Sequence, residues 1–428
     1  MKMAEFIQTA KRTARKLLPF VLIILISVSL SLLLAEKMIR YANPQFTYQQ
    51  AKLVSLKAYD KSDYLPFTMM KNTETVHFGN THEFAYTIKT NSQGYRMEEF
   101  PQEKPAGEYR ILMLGDSLTF GFGVEVDQSF LSRLEEKLNL YLEKNNIKDK
   151  KIQIINAGFV DGKSPDSYYL YLKEEGLKLN PDLIIVNYFI NNDVMDIDDN
   201  VWEKVDQDGL PTKISARTSY IDPPFYRLKK EYQNWKLVVP ILRDSHLWVL
   251  FATAWETKSP ETVNAIKKIL GTKPLPLIES GENDDCLFRQ KCSGKMDDLL
   301  GKFYKMTDGI VELSKANNIP LIFSFIPANP QVREHALVVD AEKRYPKLTT
   351  AQISAMLTQV QPQKDWEERF TKMDVFVVDP LPYVTDSGWQ SFYFTQDGHP
   401  TVPGNEAISQ AFFDSLTNDW QILAKIRK

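Results

Sequence analysis

From residue 110 onward, short apolar segments that fit buried strands alternate with longer segments that fit amphipathic helices. This alternation predicts a parallel sheet covered by helices on both faces. The carboxyl ends of the strands in such a sheet meet at one edge, where functional sites form. The first three apolar segments are each followed by a polar or glycine-containing cluster, at Asp116–Ser117, Asn156–Gly158 and Asn191–Asp193. The sequence therefore predicts an α/β fold with a site at that edge.

The first cluster lies in ILMLGDSLTFGFGV, residues 111–124, whose glycines raise the possibility of a phosphate-binding loop. A Walker-type loop requires Gly, four residues and then Gly-Lys-Ser/Thr, but Gly121 comes one position late and no lysine is present. A dinucleotide fingerprint requires a third glycine, which is absent after Gly123. The lipase-type elbow G-x-S-x-G also fails, because Thr119 occupies the position of its second glycine. Ser117 remains as a candidate nucleophile at the end of a buried strand.

A serine nucleophile requires a nearby imidazole that accepts its proton. His399 is the strongest candidate among the five histidines, because it lies in a turn that leads into an amphipathic C-terminal helix. Asp397, two residues earlier, is placed to hold the imidazole in the required tautomer. A surface role explains His77, His82 and His335 better.

Four blocks of the sequence resemble, in the same order, the blocks of the GDSL or SGNH hydrolases. The blocks are GDSL at 115–118, NAG at 156–158, FINNDV at 189–194 and DGHPTVPG at 397–404. NSQGYR at 91–96 also resembles the segment that precedes the first strand in many bacterial members. The resemblance covers residues 110–416, and it implies a flavodoxin-like three-layer α/β/α fold with a central parallel sheet.

The resemblance also implies a role for each matching residue. Ser117 would be the nucleophile, His399 the general base and Asp397 the acid that orients the imidazole. The oxyanion hole would consist of the backbone N–H groups of Ser117 and Gly158 and the side-chain amide of Asn192. Such donors matter because an ester carbonyl that becomes tetrahedral places negative charge on its oxygen. No metal and no cofactor are expected.

Two positions depart from the family pattern. Ile190 replaces the usual glycine of the third block, which is expected to crowd the backbone while leaving Asn192 in register. The final block is usually Asp-x-x-His, but the residue three before the histidine is Gln396. Asp397 is therefore our choice for the acid, and Asp386 is a less favoured substitute.

The N-terminal segment from Leu17 to Ala35 contains 19 residues without a charge. As a helix it would be roughly 28 Å long, about the hydrocarbon thickness of a bilayer. Basic residues precede it, so the positive-inside rule predicts that residues 1–16 form a cytoplasmic segment. We expect an uncleaved transmembrane anchor. The alternative is a signal peptide that is cleaved after Ala35. Leu33 argues against cleavage, because it occupies a position that requires a small residue. Both alternatives place the rest of the chain outside the cytoplasm, and the anchor predicts a single-pass protein of the inner membrane.

Composition divides the remaining chain into two further parts. Residues 36–109 are expected to form a stalk and a small β-rich lead-in, and residues 110–428 the hydrolase-like domain. Residues 194–300 are an insertion in that domain. It holds Trp202, Trp235, Trp248 and Trp255, which either form the insertion's own core or stack on a substrate.

Charge and cysteine content narrow the possible partners. A nucleic-acid-binding protein usually carries an excess of basic residues. The net charge of this chain is −3, so the sequence does not indicate a nucleic-acid partner. Cys286 and Cys292 lie close together in a polar stretch, and outside the cytoplasm they are expected to form a disulfide. Metal binding is the alternative, but no His or further Cys lies nearby to complete four ligands.

These expectations combine into one leading function. We expect a membrane-anchored serine esterase that removes acyl groups, most simply O-acetyl groups, from an envelope glycan or lipid through an acyl-enzyme. An O-acyltransferase would use the same residues with a sugar hydroxyl in place of water. A non-catalytic binding or scaffold module on the same fold is the alternative from another class.

Overall fold

The computed structural model describes residues 2–45, 47–49, 58–79, 83–159, 163–190, 192–216, 242–259, 262–263, 265, 294–327, 329–332, 349, 361–385, 391–394 and 397–426. The chain forms two compact units. One consists of Met1–Gln49 and Gln233–Leu275, and the other of Gln50–Tyr232 and Pro276–Lys428. Cys286, Cys292, Asp386 and Trp235 lie outside the described residues, so the disulfide and the substitute acid stay predictions.

Short and long strands occur along the larger unit. They are β1 (Tyr59–Asp60), β2 (Thr68–Met69), β3 (Glu74–Phe78), β4 (Ala85–Lys89), β5 (Glu108–Gly115), β6 (Lys151–Gly158), β7 (Leu183–Phe189), β8 (Asn200–Val205), β9 (Pro211–Ala216), β10 (Leu321–Ile326) and β11 (Phe376–Val378).

Helices alternate with the strands from β5 onward. The α-helices of the described residues are α1 (Lys2–Ala42), α2 (Ser117–Phe120), α3 (Phe130–Lys144), α4 (Pro165–Glu174), α5 (Asp193–Asp196), α6 (His246–Lys258), α7 (Lys295–Ala316), α8 (Asn329–Val332), α9 (Gln361–Thr371), α10 (Leu381–Thr385), α11 (Val402–Asp414) and α12 (Ile422–Ile426). Short 3₁₀ turns cover Val126–Gln128, Gly176–Leu179 and Ile197–Asp199, and a π-helical turn covers Ser415–Asp419.

The central sheet has five strands in the spatial order β6, β5, β7, β10, β11, and every neighbouring pair is parallel. Numbered along the chain, this is the order 2-1-3-4-5 of flavodoxin-like sheets. The predicted α/β fold class with a central parallel sheet is therefore confirmed. The strand order reverses between β5 and β7, and the general rule for such sheets places a ligand site at the carboxyl ends there.

Apolar side chains cover both faces of the sheet. Along β5, Leu112 and Leu114 point into one core, whereas Ile111 and Met113 point into the other. The first core is completed by α4, α7 and α9, and the second by α3 and α11. The sheet thus lies between two helical layers, which explains why its strands are apolar along nearly their whole length.

Helix α3 shows how local sequence specifies these layers. Ser129 caps its N-terminus by accepting the N–H of Ser132. Leu134, Leu138 and Leu142 recur at helical spacing, and all three are buried against the second core. Burying each leucine contributes roughly 1.5–3 kcal/mol, so this stripe rather than helix propensity holds α3 on the sheet.

The smaller unit contains the long apolar helix α1. Its stretch Arg15–Ala42 is 28 residues long and contains an 18-residue window with a mean hydropathy of 2.8, so it is long and apolar enough to cross a membrane. Near its end, Glu36 accepts hydrogen bonds from the Ser245 hydroxyl and from the backbone N–H groups of His246 and Leu247. This carboxylate therefore caps the N-terminus of α6, where backbone N–H groups lack partners within the helix.

Candidate active site

Ser117 lies directly beyond the carboxyl end of β5, where α2 begins. Asp116 is the N-cap of this single turn, and its carboxylate accepts the N–H of Leu118 over 3.0 Å. The turn ends at Gly121 in the left-handed conformation, with φ +83°. Ser117 is partly exposed, whereas the other three residues of the turn are buried. The local fold therefore presents the Ser117 side chain at the sheet edge.

His399 and Asp397 lie next to Ser117, 282 and 280 residues further along the chain. Ser117 Oγ is 2.7 Å from His399 Nε2, and His399 Nδ1 is 2.5 Å from Asp397 Oδ1. Asp397 Oδ1 also accepts the backbone N–H of His399 over 3.3 Å. With the imidazole proton on Nδ1, Nε2 accepts the hydroxyl proton of Ser117. This arrangement can increase the nucleophilicity of Ser117.

A turn before α11 places His399 at the sheet edge. The Phe394 N–H donates to the carbonyl of His399, and the Gly398 N–H donates back to the carbonyl of Phe394. Gly398 adopts φ +86°, which a residue with a side chain rarely adopts. Thr401 then caps α11 by accepting the N–H of Gly404. The sequence prediction of a turn followed by an amphipathic helix is confirmed.

Gly158 ends β6 and pairs with Gly115 in the ladder between β5 and β6. A Cβ atom on Gly158 would lie 2.3 Å from the backbone nitrogen of Phe120 and 2.6 Å from the carbonyl carbon of Thr119. Only glycine therefore lets α2 pack this closely on β6. The Gly158 N–H, which the resemblance assigns to the oxyanion hole, donates to Asn156 Oδ1 over 3.0 Å.

Asn192 follows β7 and is the N-cap residue of α5. Its side-chain amide donates one hydrogen bond to Asp196 over 2.7 Å. Ile190, which was expected to crowd this segment, is fully buried in the first core, and its N–H donates to the carbonyl of Ile326. The bulky side chain thus points into the protein interior.

The sequence did not predict the burial of two carboxyl groups, those of Asp116 and Asp193, in the clusters after β5 and β7. Asp193 is fully buried and accepts hydrogen bonds from the Tyr168 hydroxyl and the Phe189 N–H. Burial raises the pKa of Asp193 well above its ordinary value, and the nearby charge of Asp116 raises it further. Burial likewise raises the pKa of Asp116 to about 6, although the hydrogen bond from Leu118 and the charge of His399 lower it. Burial thus disfavours the ionised form of both carboxyl groups.

The segment before the sheet also contributes to the site. Arg96 is buried, and its guanidinium donates to the carbonyls of Phe120, Gly121 and Val124 as well as to the carbonyl of Thr87. These four carbonyls join β4 to the loop after α2. An arginine with so many acceptors on one loop was not recognisable from sequence, because the acceptors are backbone groups of a distant segment.

The acidic residues after β7 have separate partners. Asp196 pairs with Asn192, Asp198 with Lys295, and Asp193 with Tyr168. Within the described ranges, no group of three or more His, Cys, Asp or Glu side chains could hold a metal ion. Trp202 packs against the first core and donates its indole N–H to Asp166, while Trp248 and Trp255 contribute to a small cluster in the other unit.

No protein-family model matches this chain, and no curated protein matches it. Several solved structures are similar at low identity. An acetyl xylan esterase has 12% identity and a TM-score of 0.35, with coverage of 72% of this chain and 99% of that one. A member of the lipolytic protein G-D-S-L family from Veillonella parvula has 10% identity and a TM-score of 0.32, with coverage of 72% and 99%.

A third solved structure, a GDSL-like lipase from Bacteroides thetaiotaomicron, has 12% identity and a TM-score of 0.28, with coverage of 72% of this chain and 87% of that one. At these values the likeness alone establishes neither a family nor an activity for this chain. The strand order and the contacts of Ser117, His399 and Asp397 are the observations on which a function can be argued.

Proposed function

We propose that this chain is a serine esterase of the SGNH type that removes acyl groups, most simply O-acetyl groups, from an envelope glycan or lipid. The observation that carries the proposal is the line of contacts from Ser117 Oγ to His399 Nε2 and from His399 Nδ1 to Asp397. A hydroxyl, an imidazole and a carboxylate in this order supply a nucleophile, its general base and the group that orients the base.

The reaction follows from these three side chains. His399 Nε2 takes the hydroxyl proton as Ser117 Oγ attacks the ester carbonyl, and the imidazolium is stabilised by Asp397. Collapse of the tetrahedral intermediate breaks the bond to the alcohol oxygen, which receives the proton from Nε2. Water then attacks the acyl-enzyme by the same route and releases the carboxylic acid with free Ser117.

The negative oxygen of the intermediate requires fixed hydrogen-bond donors. The proposed donors are the backbone N–H groups of Ser117 and Gly158 and the amide of Asn192. One amide N–H of Asn192 already donates to Asp196, which orients the amide group. The Gly158 N–H donates to Asn156 Oδ1 in this structure. In the proposed reaction it donates instead to the carbonyl oxygen of the ester. Loss of one such donor raises the barrier by roughly 3–4 kcal/mol.

Replacement of the nucleophile tests the activity. We expect the full-length chain in detergent micelles to hydrolyse ethyl acetate and to react with a fluorophosphonate, and we expect Ser117→Ala to lose both. Ser132→Ala is the matched control, because Ser132 is a partly exposed serine on α3 and should keep both reactions. Labelling or turnover that persists in Ser117→Ala would contradict the proposal. A folded wild-type chain that turns over no ester would indicate the binding module instead.

We further propose that α1 anchors the chain, with residues 1–16 in the cytoplasm and the larger unit outside it. The apolar stretch Arg15–Ala42 and the basic residues before it support this orientation. Intact mass of the protein from isolated membranes is expected to show the complete N-terminus, and protease added from the extracytoplasmic side should digest the larger unit. A mature chain that begins after Ala35 would show a cleaved signal peptide.

A further inference from the structure

Three phenylalanines from separate chain segments meet beside His399. Phe84, Phe122 and Phe394, here named the aromatic patch, are all partly exposed. The ring centroids are 5.4 Å apart for Phe84 and Phe122, and 4.6 Å apart for Phe84 and Phe394. Phe122 lies against the imidazole of His399, with ring centroids 4.3 Å apart and an angle of 30° between the planes. The patch is thus continuous with the imidazole.

Buried groups behind the patch hold it in place. His77 of β3 and Tyr86 of β4 pack against Phe122, at 5.1 and 5.3 Å between ring centroids. His77 is buried, so the surface role expected for it is wrong. Arg96 fixes the loop around Phe122 by donating to the carbonyls on both sides of it. Gly123 adopts φ +86°, and a Cβ there would lie 2.9 Å from the Phe394 ring. The patch is therefore preorganised, as a binding surface with low ordering cost should be.

The chemistry at His399 determines which part of an ester lies near the patch. Nε2 must return its proton to the alcohol oxygen as the acyl–oxygen bond breaks, so the alcohol lies on the side of the imidazole. The acyl carbonyl is directed instead towards the donors at Gly158 and Asn192. Since Phe122 contacts the imidazole, the aromatic patch adjoins the alcohol part of the substrate rather than its acyl part.

We propose that the aromatic patch binds the alcohol part of the ester and that this alcohol is a sugar ring. This inference rests on the proposed esterase function and specifies its substrate class. A pyranose presents an apolar C–H face that fits an aromatic surface, and its hydroxyl edge requires polar neighbours. The carboxylate of Glu83, which is adjacent to Phe84 and accepts the backbone N–H of Asp397, is such a group. An O-acetylated glycan offers this combination.

Two substrate series separate the alcohol side from the acyl side. The alcohol series compares ethyl acetate with an O-acetylated methyl glucoside, which share one acyl group. The acyl series compares ethyl acetate, butyrate and hexanoate, which share one alcohol. The full-length chain in detergent micelles is assayed for kcat/KM on each substrate, with Phe84→Leu as the variant because leucine keeps apolar volume without an aromatic face.

We expect Phe84→Leu to lower kcat/KM for the sugar ester about threefold to tenfold more than for ethyl acetate, with the acyl-series ratios unchanged. Phe394→Leu changes a different chain segment and should give the same result. It allows the test to be made if Phe84→Leu folds poorly. Phe376→Leu is the matched control, because Phe376 is a partly exposed phenylalanine of β11 whose ring packs against Trp420 at a tilted angle. The control should keep the wild-type ratios.

Three outcomes would overturn the inference. An equal loss on both members of the alcohol series would make the patch a structural support, and a loss that grows with acyl length would assign it to the acyl group. A wild-type preference for ethyl acetate over the sugar ester would also exclude a sugar subsite. If the wild type hydrolyses neither series, the proposed function itself fails, which is distinguishable because the variants then have no activity to compare.

Discussion

The backbone N–H of Asp397 donates a hydrogen bond of 2.9 Å to the carboxylate of Glu83, 314 residues earlier in the chain. Glu83 lies two residues before β4, in the connection between β3 and β4, which pair as a hairpin before the central sheet. Asp397 in turn receives hydrogen bonds from both the ring and the backbone of His399. The lead-in hairpin therefore supports the turn that carries the proposed general base.

Replacing Glu83 tests whether this support matters for turnover. Glu83→Ala removes the acceptor, and we expect kcat to fall about tenfold with little change in KM, as for a charge-assisted hydrogen bond worth about 1.5 kcal/mol. Glu83→Gln keeps an acceptor oxygen and should stay within about threefold of wild type. The measurement is the steady-state hydrolysis of ethyl acetate. Equal losses in both variants would show that the charge, and not the hydrogen bond, is required.

Arg96 provides a second link between the lead-in and the site. Its planar guanidinium donates to four carbonyls, an arrangement that the ammonium group of lysine cannot reproduce. We expect Arg96→Lys to destabilise the fold by about 2–3 kcal/mol and to lower kcat about tenfold, because Phe122 and His399 lose their fixed contact. Rates are normalised to active sites titrated with a fluorophosphonate, so that loss of folded protein does not appear as loss of kcat.

Arg110 is the matched control for this prediction. It is equally buried and donates to the carbonyls of Pro101, Gln102 and Leu179, but it lies near the amino end of β5, opposite the site. Arg110→Lys should cost similar stability and leave kcat per active site unchanged. A comparable fall in kcat for both variants would mean that Arg96 acts only through general stability.

The sheet and the positions of the two side chains proposed to react were predictable because their signals are local. Burial on both faces makes the strands apolar throughout, and polar residues mark their carboxyl ends. Ser117 follows one such end, and His399 lies in a glycine-containing turn before an amphipathic helix. These features require only the residues of one segment, so the sequence alone indicates them.

The supports of the site were not predictable, because each depends on contacts between distant segments. Glu83 and Arg96 are charged residues in a short lead-in, where an exposed position is the ordinary expectation. The burial of Asp193 arises only when α4 places Tyr168 against it. The burial of Ile190 in the first core likewise depends on packing between distant segments.

The raised pKa of Asp116 leads us to predict how the stability of the fold depends on pH. Burial raises this pKa from 3.8 to about 6, so the folded chain holds the proton more tightly than the unfolded chain does. Between about pH 4 and pH 6 unfolding therefore releases a proton, and stability falls as the pH rises through this window. At higher pH the ionised carboxyl costs on the order of 3 kcal/mol. Asp193, whose pKa is also raised, faces it and adds to the same trend.

Asp116→Asn should remove this cost while its oxygen still accepts the Leu118 N–H. The variant is expected to gain stability relative to wild type as the pH rises from 4 to 8, measured as the difference in thermal midpoint in detergent micelles. Asp127→Asn is the control, because Asp127 is exposed and should leave the pH dependence unchanged. A pH dependence in Asp116→Asn identical to that of wild type would contradict a buried, protonated Asp116.

Asn192 offers the sharpest test of the proposed oxyanion hole. Asn192→Ala removes one donor to the developing negative charge, so we expect kcat to fall about 10²- to 10³-fold with KM nearly unchanged, since the donor acts mainly in the transition state. Asn200 supplies the control, because its buried amide donates to Ser164 and Asp166, at the start of α4. Asn200→Ala should lower stability but not kcat. A fall in stability without a fall in kcat for Asn192→Ala would reduce Asn192 to a structural partner of Asp196, and the oxyanion hole would then have to consist of backbone N–H groups.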